Sequence, residues 1–105
     1  MPADPQLLER LVAAGARPAT VASTDLFYDP REETAARWMR AGALAVEMET
    51  ATIFAVARRR GVSAACVLGV TDGVAAEGAL RATREQIEEI GLQVGQAGYA
   101  SLESR

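Results

Sequence analysis

The chain has 105 residues, half of them apolar, which predicts one globular domain at most with a modest hydrophobic core. Its 11 basic and 14 acidic residues are mixed along the sequence and give a formal charge of -3, which excludes the basic surface that nucleic-acid binding requires. The chain has no histidine and a single cysteine, so a disulfide framework is excluded and acid–base chemistry must fall to Asp and Glu.

The N-terminal segment carries the signals of a short amphipathic helix. Asp4 can cap this helix, Pro5 suits its first turn, and Gly15 ends it. No basic segment precedes an apolar run here, and no run in the chain reaches the ~18 apolar residues of a membrane span. We therefore expect a cytoplasmic protein without a signal peptide or a membrane span.

Strand and helix patterns alternate through the middle of the chain. A weak strand is predicted over 18–23, and the charged segment over 31–40 suits a solvent-facing helix. A short strand over 43–46 and a helix over 49–60 follow. The helix over 49–60 ends with three arginines, whose charges complement the helix dipole. We therefore interpret these arginines as a cap on a solvated face.

The apolar run over 64–70 has the pattern of a parallel strand buried on both faces. It ends at Thr71, a loop rich in Gly and Ala follows, and a long helix is predicted from about Thr83 to Leu102. This alternation predicts an α/β fold with a mostly parallel sheet. The strand over 64–70 needs a neighbour on each side, and the edge strands of such a sheet need to be covered or paired. Three strands are too few for this, so we expect the C-terminal portion of a larger domain.

Acidic residues lie where the predicted strands end, which is where open α/β sheets bind ligands. Glu47 and Glu49 bracket Met48, and a carboxylate there can accept hydrogen bonds from two hydroxyls of a polyol. The alternative is that Glu49 only favours the start of a helix and that Met48 belongs to the core. Asp72 is either a turn residue or a carboxylate whose pKa is raised at the end of a buried strand, as a general acid requires.

Three segments together resemble the bacterial hexameric purine nucleoside phosphorylases of the nucleoside phosphorylase-I superfamily: 24–30, 42–49 and 70–72. The resemblance implies a three-layer αβα sandwich with a mostly parallel sheet, of which this chain would be the C-terminal portion. Residues 1–105 would then form a single partial domain that lacks the N-terminal phosphate-binding half. We accordingly expect a fragment.

The resemblance implies that seven residues bind the nucleoside: Phe27, Tyr28, Val46, Glu47, Met48, Glu49 and Thr71. Phe27 would pack on the purine with Tyr28 beside it, although a loop aromatic of this kind can also belong to the core. Glu49 would accept hydrogen bonds from the ribose 2′ and 3′ hydroxyls.

The resemblance also implies the catalytic residues. Asp72 would protonate N7 of the leaving purine, next to Thr71, where the family commonly has Ser. Arg84 would assist this proton transfer, with Arg81 as the other candidate. No metal and no cofactor are expected, and inorganic phosphate would be the co-substrate.

The implied activity is phosphorolysis of purine nucleosides to free base and ribose 1-phosphate in purine salvage, by a homo-oligomer. Uridine phosphorylases and nucleosidases of the same superfamily are alternatives. So is a truncated, non-catalytic chain that at most binds nucleosides. Because the phosphate-binding half is missing, we expect the isolated chain to be inactive.

Overall fold

The computed structural model describes residues 1–26, 32–75 and 78–102, with backbone only for 32, 73–75 and 78–80. Within these ranges helices and strands follow in this order: α1 (Pro5–Ala13), β1 (Thr20–Ser23), α2 (Glu32–Arg40), β2 (Ala43–Glu47), α3 (Thr50–Arg60), β3 (Asp72–Ala75), β4 (Gly78–Arg81) and α4 (Arg84–Leu102). The chain divides into two compact units, Met1–Asp4 with Arg17–Ala65, and Pro5–Ala16 with Cys66–Arg105.

The first unit contains a parallel strand pair. β1 pairs with β2 so that Ala22 faces Val46 and Ser23 faces Glu47, with an irregularity between Thr20 and Val21. α2 connects the two strands and packs against β2. A parallel pair joined by a helix is the βαβ arrangement of α/β proteins, which confirms the predicted fold class.

Glycines end the helices of the first unit where the sequence predicts. Gly42, with φ of 89°, follows α2, and Gly61, with φ of 69°, follows α3. The Gly61 N–H bonds the carbonyls of Ala57 and Arg58, and the Val62 N–H bonds Ala57 at 3.0 Å. These bonds satisfy carbonyls that a helix end otherwise leaves without partners.

The second unit combines a hairpin with two packed helices. β3 and β4 are antiparallel, and α1 packs against α4. A reciprocal cap begins α4: the Thr83 N–H donates to Gln86 Oε1 at 2.8 Å, and the Gln86 N–H donates to Thr83 Oγ1 at 3.1 Å. This capping box explains why the helix begins where the sequence predicts.

The predicted buried strand over 64–70 is wrong. This segment is neither helix nor strand, and Leu68 and Val70 are 42% and 65% exposed. At Gly69 the backbone instead lies close to α4, since a Cβ added there would collide with the Ile90 side chain. An apolar run supplies side chains for burial, but a strand also needs a hydrogen-bonding neighbour.

The Gly- and Ala-rich segment after Thr71, predicted as a loop, contains the β3–β4 hairpin. Asp72 pairs with Arg81 and Ala75 with Gly78 across it. Because Gly and Ala have low strand propensity, the local sequence does not predict this hairpin.

The hydrophobic core is small. Among side chains that the structure describes, the buried apolar ones are Leu11 and Ala57. On β2, Leu44 and Val46 share one face and are 60% and 54% exposed. In the described ranges we find no helix with the length and apolar character needed to cross a membrane.

Candidate functional site

The end of β2 and the start of α3 are joined by the carboxylate of Glu47. Its Oε1 accepts a hydrogen bond from the Ser23 hydroxyl. Its Oε2 accepts from the backbone N–H groups of Glu49 at 2.6 Å and Thr50 at 2.7 Å. Since the first N–H groups of a helix have no partner within the helix, Glu47 serves as the cap of α3.

Ser23 completes this junction from the neighbouring strand. Its hydroxyl also accepts the backbone N–H of Ala51 at 3.0 Å. The Thr24 N–H donates to the Glu47 carbonyl at 2.9 Å, which extends the parallel pairing by one bond. Side chains from β1 and β2 therefore hold the first turn of α3 together.

The hydrogen bonds at this junction favour the ionised form of Glu47. Burial raises the pKa of its carboxyl, but hydrogen bonds from Ser23 and from the backbone of Thr50 and Glu49 outweigh it, and the pKa lies below its ordinary value. Both oxygens of Glu47 thus accept hydrogen bonds from the protein itself.

Glu49 differs from Glu47 although only one residue separates them. It occupies the N-cap position of α3 with φ of -126°, and its side chain makes no capping hydrogen bond. Its side chain is exposed, as are those of Met48 at 39% and Val46 at 54%. The structure therefore brings Val46, Met48 and Glu49 to one strand end with accessible side chains.

Asp72 lies in the second unit, at the start of β3. Its Oδ1 is 3.3 Å from Nε of Arg81, its cross-strand partner, and the two side chains are 59% and 84% exposed. Of the two interpretations of Asp72, the one that places it at the end of a buried strand is wrong, because no buried strand precedes it. The half-buried Thr71 extends the hairpin, since its carbonyl accepts the Ala82 N–H at 2.7 Å.

The structure places Arg81, rather than Arg84, beside Asp72. Arg84 is the first residue of α4, with its Nε 3.9 Å from Glu88 Oε1 and its side chain 94% exposed. The antiparallel register sets Arg81 opposite Asp72, whereas Arg84 pairs one helical turn ahead on its own helix. A catalytic role for Arg84 remains a prediction.

Phe27 and Tyr28 lie outside the described residues, so their contact with a purine remains a prediction. Just before them, the Leu26 N–H donates to Thr24 Oγ1 at 3.1 Å, which forms a local turn. The predicted site residues that are described fall into two groups. Val46 to Glu49 belong to the first unit, and Thr71, Asp72 and Arg84 belong to the second.

The hydrogen bonds of Ser23 at the β2–α3 junction are not predicted from the sequence. A serine at the end of a weak strand carries no signal of its own, and only the register with β2 sets it opposite Glu47. A search for polar residues at the ends of predicted neighbouring strands would have found it. Across the described side chains, no group of three or more Asp, Glu or Cys could hold a metal ion.

Comparisons with known proteins relate the chain to one family. A family model described as the phosphorylase superfamily matches residues 1–103. A purine nucleoside phosphorylase of DeoD type from Myxococcus xanthus is 36% identical over 86 residues, which are 77% of this chain and 36% of that protein. A protein of the same name from Caldanaerobacter subterraneus subsp. tengcongensis is 35% identical over 80 residues, or 74% of this chain and 34% of the relative.

A guanosine phosphorylase from Halorubrum lacusprofundi is 41% identical over 56 residues, which are 53% of this chain and 23% of that protein. The chain therefore spans about a third or less of the length of these relatives, from 23% to 36%.

Proposed function

Because the chain belongs to the phosphorylase superfamily, we propose that it carries the nucleoside-binding part of a purine nucleoside phosphorylase site. The names of its relatives support purine nucleosides as the substrate class. The observation that carries the proposal is the β2–α3 junction. There Glu47 is engaged within the protein, while the exposed carboxylate of Glu49 makes no capping bond.

The ribose is the part of the substrate that this junction suits best. An ionised carboxylate is an acceptor with two oxygens, so Glu49 can accept hydrogen bonds from the 2′ and 3′ hydroxyls together. The thioether of Met48 packs against the sugar, and Val46 lines the pocket. Glu47 lines the same pocket from its position at the β2–α3 junction. Phe27 and Tyr28 supply a stacking surface for the purine.

The proposed reaction is phosphorolysis, with inorganic phosphate as co-substrate and no cofactor. A phosphate oxygen forms a bond to C1′ while the bond from C1′ to the purine nitrogen breaks. The bonding electron pair leaves with the purine. Protonated Asp72 donates to N7 and relieves the charge on the leaving base, with an arginine, Arg81 or Arg84, beside it. The products are free base and ribose 1-phosphate.

The complete enzyme is proposed to act in the cytoplasm as a homo-oligomer. Since the chain spans about a third of its relatives, the phosphate-binding residues are proposed to come from polypeptide outside these 105 residues.

The test measures binding and base release with the 105-residue chain. Calorimetric titration with inosine and uridine gives the affinities, and chromatography follows free base with and without phosphate. We expect inosine to bind more tightly than uridine, and any base release to require phosphate.

Each other outcome identifies a different protein. Tighter binding of uridine would indicate a uridine phosphorylase, and base release without phosphate would indicate a nucleosidase. Binding without release in a polypeptide that also contains the phosphate-binding half would indicate a non-catalytic nucleoside-binding chain. Binding of neither nucleoside would overturn the proposal.

A further inference from the structure

We propose that Ser23 is a positioning residue for the nucleoside site, because its hydroxyl fixes the Met48–Glu49 turn between β2 and α3. The inference rests on the proposed function, since the position of Glu49 matters only if Glu49 binds a sugar. The observation behind it is that one hydroxyl donates to the Glu47 carboxylate and accepts the Ala51 N–H at 3.0 Å.

A serine is chemically suited to this double contact. Its hydroxyl has one donor hydrogen and two acceptor lone pairs, so it can bridge an acceptor and a donor at the same time. Ser23 lies opposite Glu47 in the parallel register, at the strand ends where the chain enters α3. Threonine offers the same hydroxyl at this position, whereas alanine offers neither contact.

The contacts of Ser23 and Glu47 fix the backbone on both sides of the Glu49 side chain. Three successive N–H groups at the start of α3 are held by these two side chains: Glu49 and Thr50 by Glu47, and Ala51 by Ser23. The Glu49 side chain takes no part in capping. Its direction therefore depends on the backbone that Ser23 and Glu47 hold.

Removal of the Ser23 hydroxyl releases the Ala51 N–H and one oxygen of Glu47. The turn can then move, and a shift of about 1 Å is enough to spoil a hydrogen-bonding geometry. The effect should fall on the sugar hydroxyls, because they are the groups that Glu49 binds in the proposed site. Base stacking should change little.

The experiment compares inosine with 2′,3′-dideoxyinosine, which lacks both hydroxyls. Calorimetric titration of the 105-residue chain gives the ratio of the two dissociation constants for each variant. A general loss of folded protein lowers both affinities by the same factor, so the ratio isolates the position of Glu49. Ser63→Ala is the matched control, since Ser63 is exposed and belongs to the same unit.

We expect the wild type and Ser63→Ala to prefer inosine by the same ratio. In Ser23→Ala this preference should fall about tenfold, as the loss of one or two hydrogen bonds predicts. Ser23→Thr should retain most of the preference. If Ser23→Ala does not fold, Ser23→Cys provides the same comparison, because a thiol is a weak donor and a weak acceptor.

An unchanged ratio in Ser23→Ala would overturn the inference and leave the proposed function standing. Equal losses in Ser23→Ala and Ser23→Thr, or an equal loss in Ser63→Ala, would also overturn it. A wild type that binds inosine and dideoxyinosine equally, or neither, would overturn the proposed sugar contact first and the inference with it.

Discussion

Two carboxylates separated by one methionine have different surroundings in this chain. Glu47 accepts hydrogen bonds from the Ser23 hydroxyl and from the backbone N–H groups of Glu49 and Thr50. Glu49 lies at the N-cap of α3 without a capping bond. The residue types are identical, so the difference comes from the donors that the fold places around each one. This division leaves Glu49 as the acceptor that a ligand can use.

The cap formed by Glu47 should make stability depend on pH. Because its folded pKa lies below the ordinary value, the carboxylate contributes stability above the unfolded pKa, and this is lost as the pH falls through the folded pKa. Glu47→Gln should cost about 1 kcal/mol in the free energy of unfolding at pH 7, as lost caps do.

Urea unfolding of the wild type and Glu47→Gln, repeated from pH 7 down to about pH 3, tests this expectation. The difference between the two proteins should shrink below about pH 4. Glu49→Gln is the control and should change stability less, because Glu49 makes no capping bond. A difference that stays constant over the whole range would contradict the pKa argument.

The interaction energy of the ion pair between Asp72 and Arg81 can be measured without an activity assay. A double-mutant cycle with Asp72→Asn and Arg81→Gln should give a coupling energy of about 0.5 kcal/mol, typical of exposed pairs. The coupling should weaken with added salt. The cycle with Arg84→Gln should give none, since Arg84 pairs with Glu88. Coupling of Asp72 to Arg84 alone would contradict the structure.

If Asp72 is the general acid, its substitution should affect the rate of the reaction and not the affinity for the nucleoside. In the complete enzyme, Asp72→Asn should lower the rate of phosphorolysis by about a hundredfold or more, because an amide cannot donate the proton. Its affinity for inosine should stay within about twofold of the wild type. Asp25→Asn, at another exposed aspartate, is the control. Equal loss of binding and rate would mean that Asp72 is structural.

At the scale of elements, success and failure of the sequence predictions have physical causes. α4 is predicted well because apolar residues recur along it at helical spacing, and because its start is fixed by a local interaction, the capping box of Thr83 and Gln86. The strand prediction over 64–70 depends on side-chain character alone. Strand pairing requires a distant partner, as does the contact between Ser23 and Glu47, so neither can be predicted from a local pattern.

The capping box can be tested directly. Thr83→Ala removes the hydroxyl that accepts the Gln86 N–H, and should cost about 1 kcal/mol in the free energy of unfolding. Hydrogen exchange should speed up first in the opening turn of α4. Thr52→Ala, at an exposed position inside α3, is the matched control and should change stability little. Equal effects of the two changes would contradict the cap.

For the molecule as a whole, the small core should determine which apolar substitutions lower the free energy of unfolding. α1 offers a matched pair, because Leu11 is 3% exposed and Leu8, on the same helix, is 37% exposed. Since α1 packs against α4, Leu11→Ala should leave a cavity and cost about 2 to 3 kcal/mol, whereas Leu8→Ala should cost less than about 1 kcal/mol.

Urea unfolding followed by circular dichroism measures both losses. Small domains have only ~5 to 15 kcal/mol of total stability, so the Leu11→Ala chain should unfold at a clearly lower urea concentration. The exposed Leu44 provides a further comparison, because Leu44→Thr should change stability little in the isolated chain. Equal losses at Leu8 and Leu11 would mean that packing of α1 does not stabilise this fold.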